Sequence, residues 1–152
     1  MVATQTTLFT VAVFQDAAWA SKGVDALKQA GFPADSLTVL GKDGPDLAAL
    51  VQQFFGNAGD RFDVAAIGPV IGRGALIPTL QGSTRDLATA GIAATMRRAG
   101  FQPHDGRIFE TLVGRGGVLV AIRSDPRAAD ALAILHSYGG GNAAIGAWTG
   151  RV

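Results

Sequence analysis

Apolar positions along this chain follow two rhythms, one of strands and one of helices. Residues 8–14 (Leu-Phe-Thr-Val-Ala-Val-Phe) and 118–122 (Val-Leu-Val-Ala-Ile) are nearly unbroken β-favouring runs. A run without polar alternation suits a strand covered on both faces, so 118–122 is expected at the centre of a sheet. Residues 37–40 (Leu-Thr-Val-Leu) predict a second strand, placed at an edge because it is short. Residues 143–148 predict the last one. Helical stripes fill the intervals: Ala20, Val24 and Leu27; Leu47, Leu50, Val51, Phe54 and Phe55; Ala88, Ile92 and Met96; Ile108, Phe109, Leu112 and Val113.

Punctuation supports these limits. Asp16 and Asp125 stand as N-caps, Pro45 and Pro126 suit first helical positions, and Gly31, Gly100 and Gly139 stop helices. Ser83 with Asp86 forms a capping box opening a helix over 83–99. Gly23, inside the first helix at a cost of about 1 kcal/mol against Ala, implies close packing against a neighbouring backbone. Residues 62–80, broken by Gly68, Pro69, Gly72 and Gly74, read as an irregular buried hook.

The two long runs also repeat one another. Val11-Ala12-Val13-Phe14-Gln15-Asp16 lies over Val120-Ala121-Ile122-Arg123-Ser124-Asp125 without a gap. After a slip of one residue, Val24, Leu27 and Gly31 lie over Leu132, Leu135 and Gly139. Two βαβ units follow from this. The expected fold is α+β in a single domain, a ferredoxin-like sheet with βαβ units at 7–40 and 118–148 and a helical, glycine-rich insertion at 41–117. Strands 8–14 and 118–122 are expected to be parallel neighbours, with the helices after them on the same face.

Composition narrows the function classes. The chain has 152 residues, 48% hydrophobic and only 16% charged, which excludes a disordered or highly charged protein. A formal net charge of +1 leaves no basic stripe for nucleic acid. The absence of Cys excludes disulfides, thiolate metal sites and thiol catalysis, and fits a reducing cytoplasm. No charged start precedes a long apolar segment at the N-terminus, and Arg73 and two prolines interrupt the stretch 64–80, so neither export nor membrane insertion is expected.

Candidate chemistry is sparse. His104 and His136 are far apart on different helices, and no Gly-x-Ser-x-Gly is present, so no catalytic, cofactor or metal site is expected. Glu110, the only glutamate, lies near Arg107 and Arg115 and reads as a surface ion pair. Gly72-Arg73-Gly74 and Gly114-Arg115-Gly116-Gly117 fit no phosphate-loop spacing and read as turns. The best anion candidate is Gly82-Ser83-Thr84-Arg85, where free N–H groups at a helix start lie beside a guanidinium, although a plain capping box explains the same residues. The outermost strands carry no internal Lys, Glu or Pro to discourage edge pairing, which predicts a homodimer through the last strand, with Trp148 as anchor and Ile145 beside it.

Three stretches together resemble the bacterial general stress protein (heat-induced stress protein) domain: residues 11–40, with Ala30-Gly31-Phe32; Ala66-Ile67-Gly68-Pro69-Val70-Ile71 with Gly74 and Leu80; and Gly100-Phe101 through Glu110 to Arg115-Gly116-Gly117-Val118-Leu119-Val120. The family resemblance implies a compact βαβ framework around a glycine- and alanine-rich middle, and no established molecular activity. The present middle departs from it in being shorter and interrupted by Arg73, Arg85 and Arg97. The functional expectation is a non-enzymatic, cytoplasmic, stress-associated protein acting through self-association or binding of a protein partner. A small-ligand or anion-binding regulatory module is the alternative.

Overall fold

A computed structural model of the chain describes residues 9–32, 36–56, 59–82, 86–123 and 133–134. Five strands, β1 (Phe9–Phe14), β2 (Leu37–Lys42), β3 (Asp60–Val64), β4 (Gly68–Gly74) and β5 (Val118–Arg123), form one sheet in the order β1-β5-β2-β4-β3. Every neighbouring pair is antiparallel. Five helices pack on it: α1 (Ala17–Gln29), α2 (Pro45–Phe55), α3 (Leu76–Gln81), α4 (Leu87–Thr95) and α5 (Pro103–Gly114). The architecture is α+β.

The long apolar runs form β1 and β5, and their side chains alternate between two cores. Ala12, Phe14, Val118, Val120 and Ile122 join α1 and α2 on one face. Val11, Val13, Leu119 and Ala121 join α3, α4 and α5 on the other. Burial of both faces is why these strands read as continuous hydrophobic segments. Ile134 packs against the α1–α2 face, the side expected for the segment after β5.

Strand direction differs from the expectation. β1 and β5 are neighbours but antiparallel, with Phe14 opposite Val118 and Phe9 opposite Arg123. A sequence repeat conveys which residues alternate across a sheet; direction depends on where the chain enters. Here β5 begins at the end of the sheet where β1 finishes. Since β5 is antiparallel to both β1 and β2, those two strands run in the same direction with β5 between them, a split βαβ unit.

β2 lies inside the sheet rather than at its edge, paired on one side with β5 and on the other with β4. The reason is the stretch 62–80. Instead of an irregular hook it supplies the end of β3, a turn, β4 and most of α3, so the 41–117 segment holds a β-hairpin as well as four helices. The turn is closed by Ile67 N–H donating to the Val64 carbonyl at 3.0 Å, with Ala66 at φ 73°. Short strands read as edges in isolation; a hairpin from elsewhere can cover them. Among the described residues β1 and β3 are the outermost strands, so β1 is not central as its apolar run suggested, and β3 carries exposed Asp60, Arg61 and Asp63, charges of the kind that discourages strand addition.

Local signals in the first unit are realised closely. Asp16 Oδ1 accepts from Trp19 N–H at 2.9 Å to cap α1, and Gly44-Pro45 opens α2, which Gly56 closes in the left-handed conformation. Gly23 does reflect close packing, but against the Phe14 ring rather than a backbone: a Cβ there would lie 2.6 Å from Phe14 Cζ.

The α3–α5 layer depends more on contacts distant in sequence. Gly74, at φ 128°, brings β4 against β2 so closely that a Cβ would lie 2.3 Å from the Leu37 carbonyl oxygen. Directly after it, the buried Thr38 hydroxyl accepts from Leu76 N–H at 2.9 Å and satisfies the first donor of α3. α4 is broken at Gly91, whose φ of 84° and ψ of −179° leave the helix. A Cβ at Gly91 would lie 3.0 Å from the Ala65 carbonyl of the β3–β4 turn. After the break Ala93 N–H donates to Glu110 Oε2 of α5 at 3.4 Å, so the lone glutamate restarts the helix.

Candidate functional site

A cleft of about 1060 Å³ opens at the end of the sheet where β2 begins, β4 ends and β3 starts. Phe54 and Phe55, at the C-terminal end of α2, form one side; Ile77, Pro78 and Gln81 of α3 form the other. Leu37, Phe62, Arg73 and Gly74 connect them along the sheet. Sites for small molecules are commonly of about this size and mostly apolar with a few placed polar groups.

The apolar part follows from helical and strand periodicity. Phe54 is buried in the α2 stripe, whereas Phe55, one position round the helix, is half-buried and packs at the margin of the same core. Phe62 of β3 and Ile77 of α3 are likewise half-buried and pack at the margin of the opposite core. The cleft is therefore the place where the two cores meet the sheet end.

Its polar part consists of Arg61 and Arg73, with Asp60 among the lining residues. Arg61 Nε lies 3.3 Å from Asp43 Oδ2, and Arg73 Nη1 lies 3.8 Å from Asp60 Oδ2. The second distance exceeds a hydrogen bond. Both pairs are solvent-exposed, with the Arg73 and Asp60 side chains 45% and 71% accessible, and pairs of this kind contribute about 0–1 kcal/mol. Neither arginine is committed to the fold by such contacts.

Gly72-Arg73-Gly74, expected as a turn, is the end of β4 and delivers Arg73 to the cleft. Gly82 lies at the cleft margin, while Ser83, Thr84 and Arg85 of the expected anion site lie outside the described residues. The structure adds a different arginine there. Arg98 Nη1 donates to the Leu80 carbonyl at 2.8 Å, Arg98 Nη2 pairs with Asp86 Oδ2, and a Cβ on Gly82 would meet the guanidinium. The Asp86 carboxylate also holds Arg98, and Gln81 Oε1 accepts from Leu87 N–H at 3.1 Å at the start of α4; Ser83, the other member of the expected capping box, lies outside the described residues.

The remaining candidates separate. His104 is exposed in the first turn of α5, and His136, Ile145 and Trp148 lie outside the described residues. Among the described residues no His/Asp/Glu cluster able to hold a metal is found. Glu110 is half-buried, and its described contact is to the α4 backbone rather than the expected surface arginines. Trp19 is the large hydrophobic residue exposed on the described surface, at 43%, with Lys22 Nζ 4.4 Å from its ring centroid. No helix among the described residues is long and apolar enough to cross a membrane.

Sequence reasoning missed Arg61, Phe62 and Gln81 as site residues because their grouping depends on the hairpin. Phe54 and Phe55 gave a signal, two adjacent aromatics that cannot both face one helical stripe, but it was absorbed by the core. Comparisons with protein-family models, curated proteins and solved structures return no match for this chain. The functional reading accordingly comes from the site.

Proposed function

We propose that the protein is a non-enzymatic binding module whose cleft between α2, β3 and α3 takes a small ligand. The observation that carries this reading is the coincidence, in one cleft, of half-buried aromatic and aliphatic side chains with two arginines whose described ion pairs are with exposed carboxylates. A stress-associated, cytoplasmic role is the part of the proposal that the family resemblance supplies. The split β1–α1–β2 unit around β5 also supports reading this part of the sheet as ferredoxin-like, extended by β4 and β3.

A thermal-shift screen against a metabolite collection tests the binding reading. A ligand of the native state raises stability by RT ln(1 + [L]/Kd), about 2.7 kcal/mol at a hundredfold excess over Kd. Hits are expected to lose their effect in Pro78→Trp, which places bulk at an exposed position of the cleft wall. No hit, or hits indifferent to this substitution, would defeat the reading.

Association with a protein partner or a second copy is the other proposal, and exposed Trp19 is the observation in its favour, since aromatic anchors are enriched at interfaces. Light scattering at tens of micromolar, with wild type and Trp19→Ala, tests it. A monomer in both cases would remove self-association.

A further inference from the structure

The chemistry of the cleft wall narrows the class of ligand. We infer that the site takes an amphipathic anion, with a carboxylate or phosphate head held by Arg61 and Arg73 and an apolar body against Phe55, Phe62 and Ile77. The inference rests on the binding reading above and extends it to the ligand's charge and shape.

Two guanidinia and one carboxylate line the cleft, with Asp43 beside Arg61 just outside the lining. Arg61 is on β3 and Arg73 on the adjacent β4, and the register setting Arg61 opposite Ile71 and Asp60 opposite Gly72 keeps both at the same end of the hairpin. A guanidinium presents a planar fork of donors that matches a carboxylate or phosphate. Asp60 reaches Arg73 at 3.8 Å without a hydrogen bond, and Asp43 approaches Arg61 through Nε at 3.3 and 3.4 Å. An incoming head group can therefore replace or join these solvent-exposed carboxylates. The apolar wall favours a ligand with a body: an inorganic anion would leave Phe55, Phe62 and Ile77 hydrated, whereas an aryl or alkyl group would cover them.

Nucleic acid is disfavoured by the same wall. A strand needs phosphate contacts repeated along a groove, and here the two arginines occur at one end of a short concavity.

Amide-resolved NMR titration of the full chain with 1-naphthylacetate and with its neutral amide, 1-naphthylacetamide, tests the inference. The acid is expected to give saturable shifts at the Gly59, Gly74 and Gly82 amides and to bind about tenfold more tightly than the amide, the factor that about 1.4 kcal/mol of charge-assisted bonding supplies. Arg61→Gln with Arg73→Gln should reduce the acid to the affinity of the amide while retaining a dispersed spectrum, since both side chains are exposed. Equal binding of acid and amide to the wild type overturns the anionic head and leaves the binding reading standing. Shifts confined to other surfaces, or none with either compound, overturn the inference; the metabolite screen then decides the binding reading independently.

Discussion

The split unit of β1, α1, β2 and β5 and the layer of α3, α4 and α5 are held by different kinds of contact. The first is written locally: apolar alternation, an Asp cap three residues from its donor, and glycine stops. The second is assembled from distant pairs, Thr38 with Leu76, Arg98 with Leu80 and Asp86, and Glu110 with Ala93. α1 concentrates its apolar residues on one face, whereas α4 is small-residue and apolar on most sides and broken at Gly91. A helix with no single apolar face has no preferred orientation of its own, so polar anchors at its ends and break set its position. Local patterning suffices for the first region; the second needs side chains delivered from elsewhere.

Substitutions can break this contrast. Gly74→Ala should have the largest effect, about 4 kcal/mol or more, because its Cβ would enter the β2 backbone at a φ that L residues rarely adopt. Urea denaturation measures it, and a loss below 1 kcal/mol would mean that the β4–α3 junction is not fixed by this approach. Thr38→Val, nearly isosteric, leaves the buried Leu76 N–H without its acceptor and should cost about 1–3 kcal/mol. A neutral outcome would show that α3 does not need its anchor.

Glu110 sharpens the comparison by location as well as size. Glu110→Ala should cost about 1–2 kcal/mol and raise hydrogen exchange first at the amides after Gly91, while Glu110→Gln, which keeps an acceptor, recovers most of the loss. Uniform destabilisation of all helices would count against a local anchor. Asp16→Ala should cost about 1 kcal/mol, the loss of one helix cap, with faster exchange confined to the start of α1. If exchange in α4 responded more strongly than α1, the division between the regions would fail.

The arginines of the cleft belong to neither regime. Arg61 and Arg73 can be neutralised together with little expected loss of stability, because their ion pairs are exposed. That separation makes the ligand tests readable.

By itself the sequence determined the identity of β1 and β5, their burial on both faces, the helices 17–29, 45–55 and 103–114 to within a residue or so, and the caps at Asp16 and Pro45. These features depend on residues within one turn or one strand, where periodicity and capping chemistry act directly. Strand direction, the interior position of β2, the β3–β4 hairpin, the break at Gly91 and the cleft were decided by tertiary structure. Each joins residues far apart in the chain: Phe14 with Val118, Thr38 with Leu76, Ala65 with Gly91, and Phe55 with Arg73 around one concavity. Alternation specifies which side chains face a core but is unchanged when a strand is reversed or gains a neighbour. The glycines at 72 and 74 looked like interruptions because the bodies that occupy the space of their missing side chains, Ile77 and Thr38, come into place only when the chain has folded.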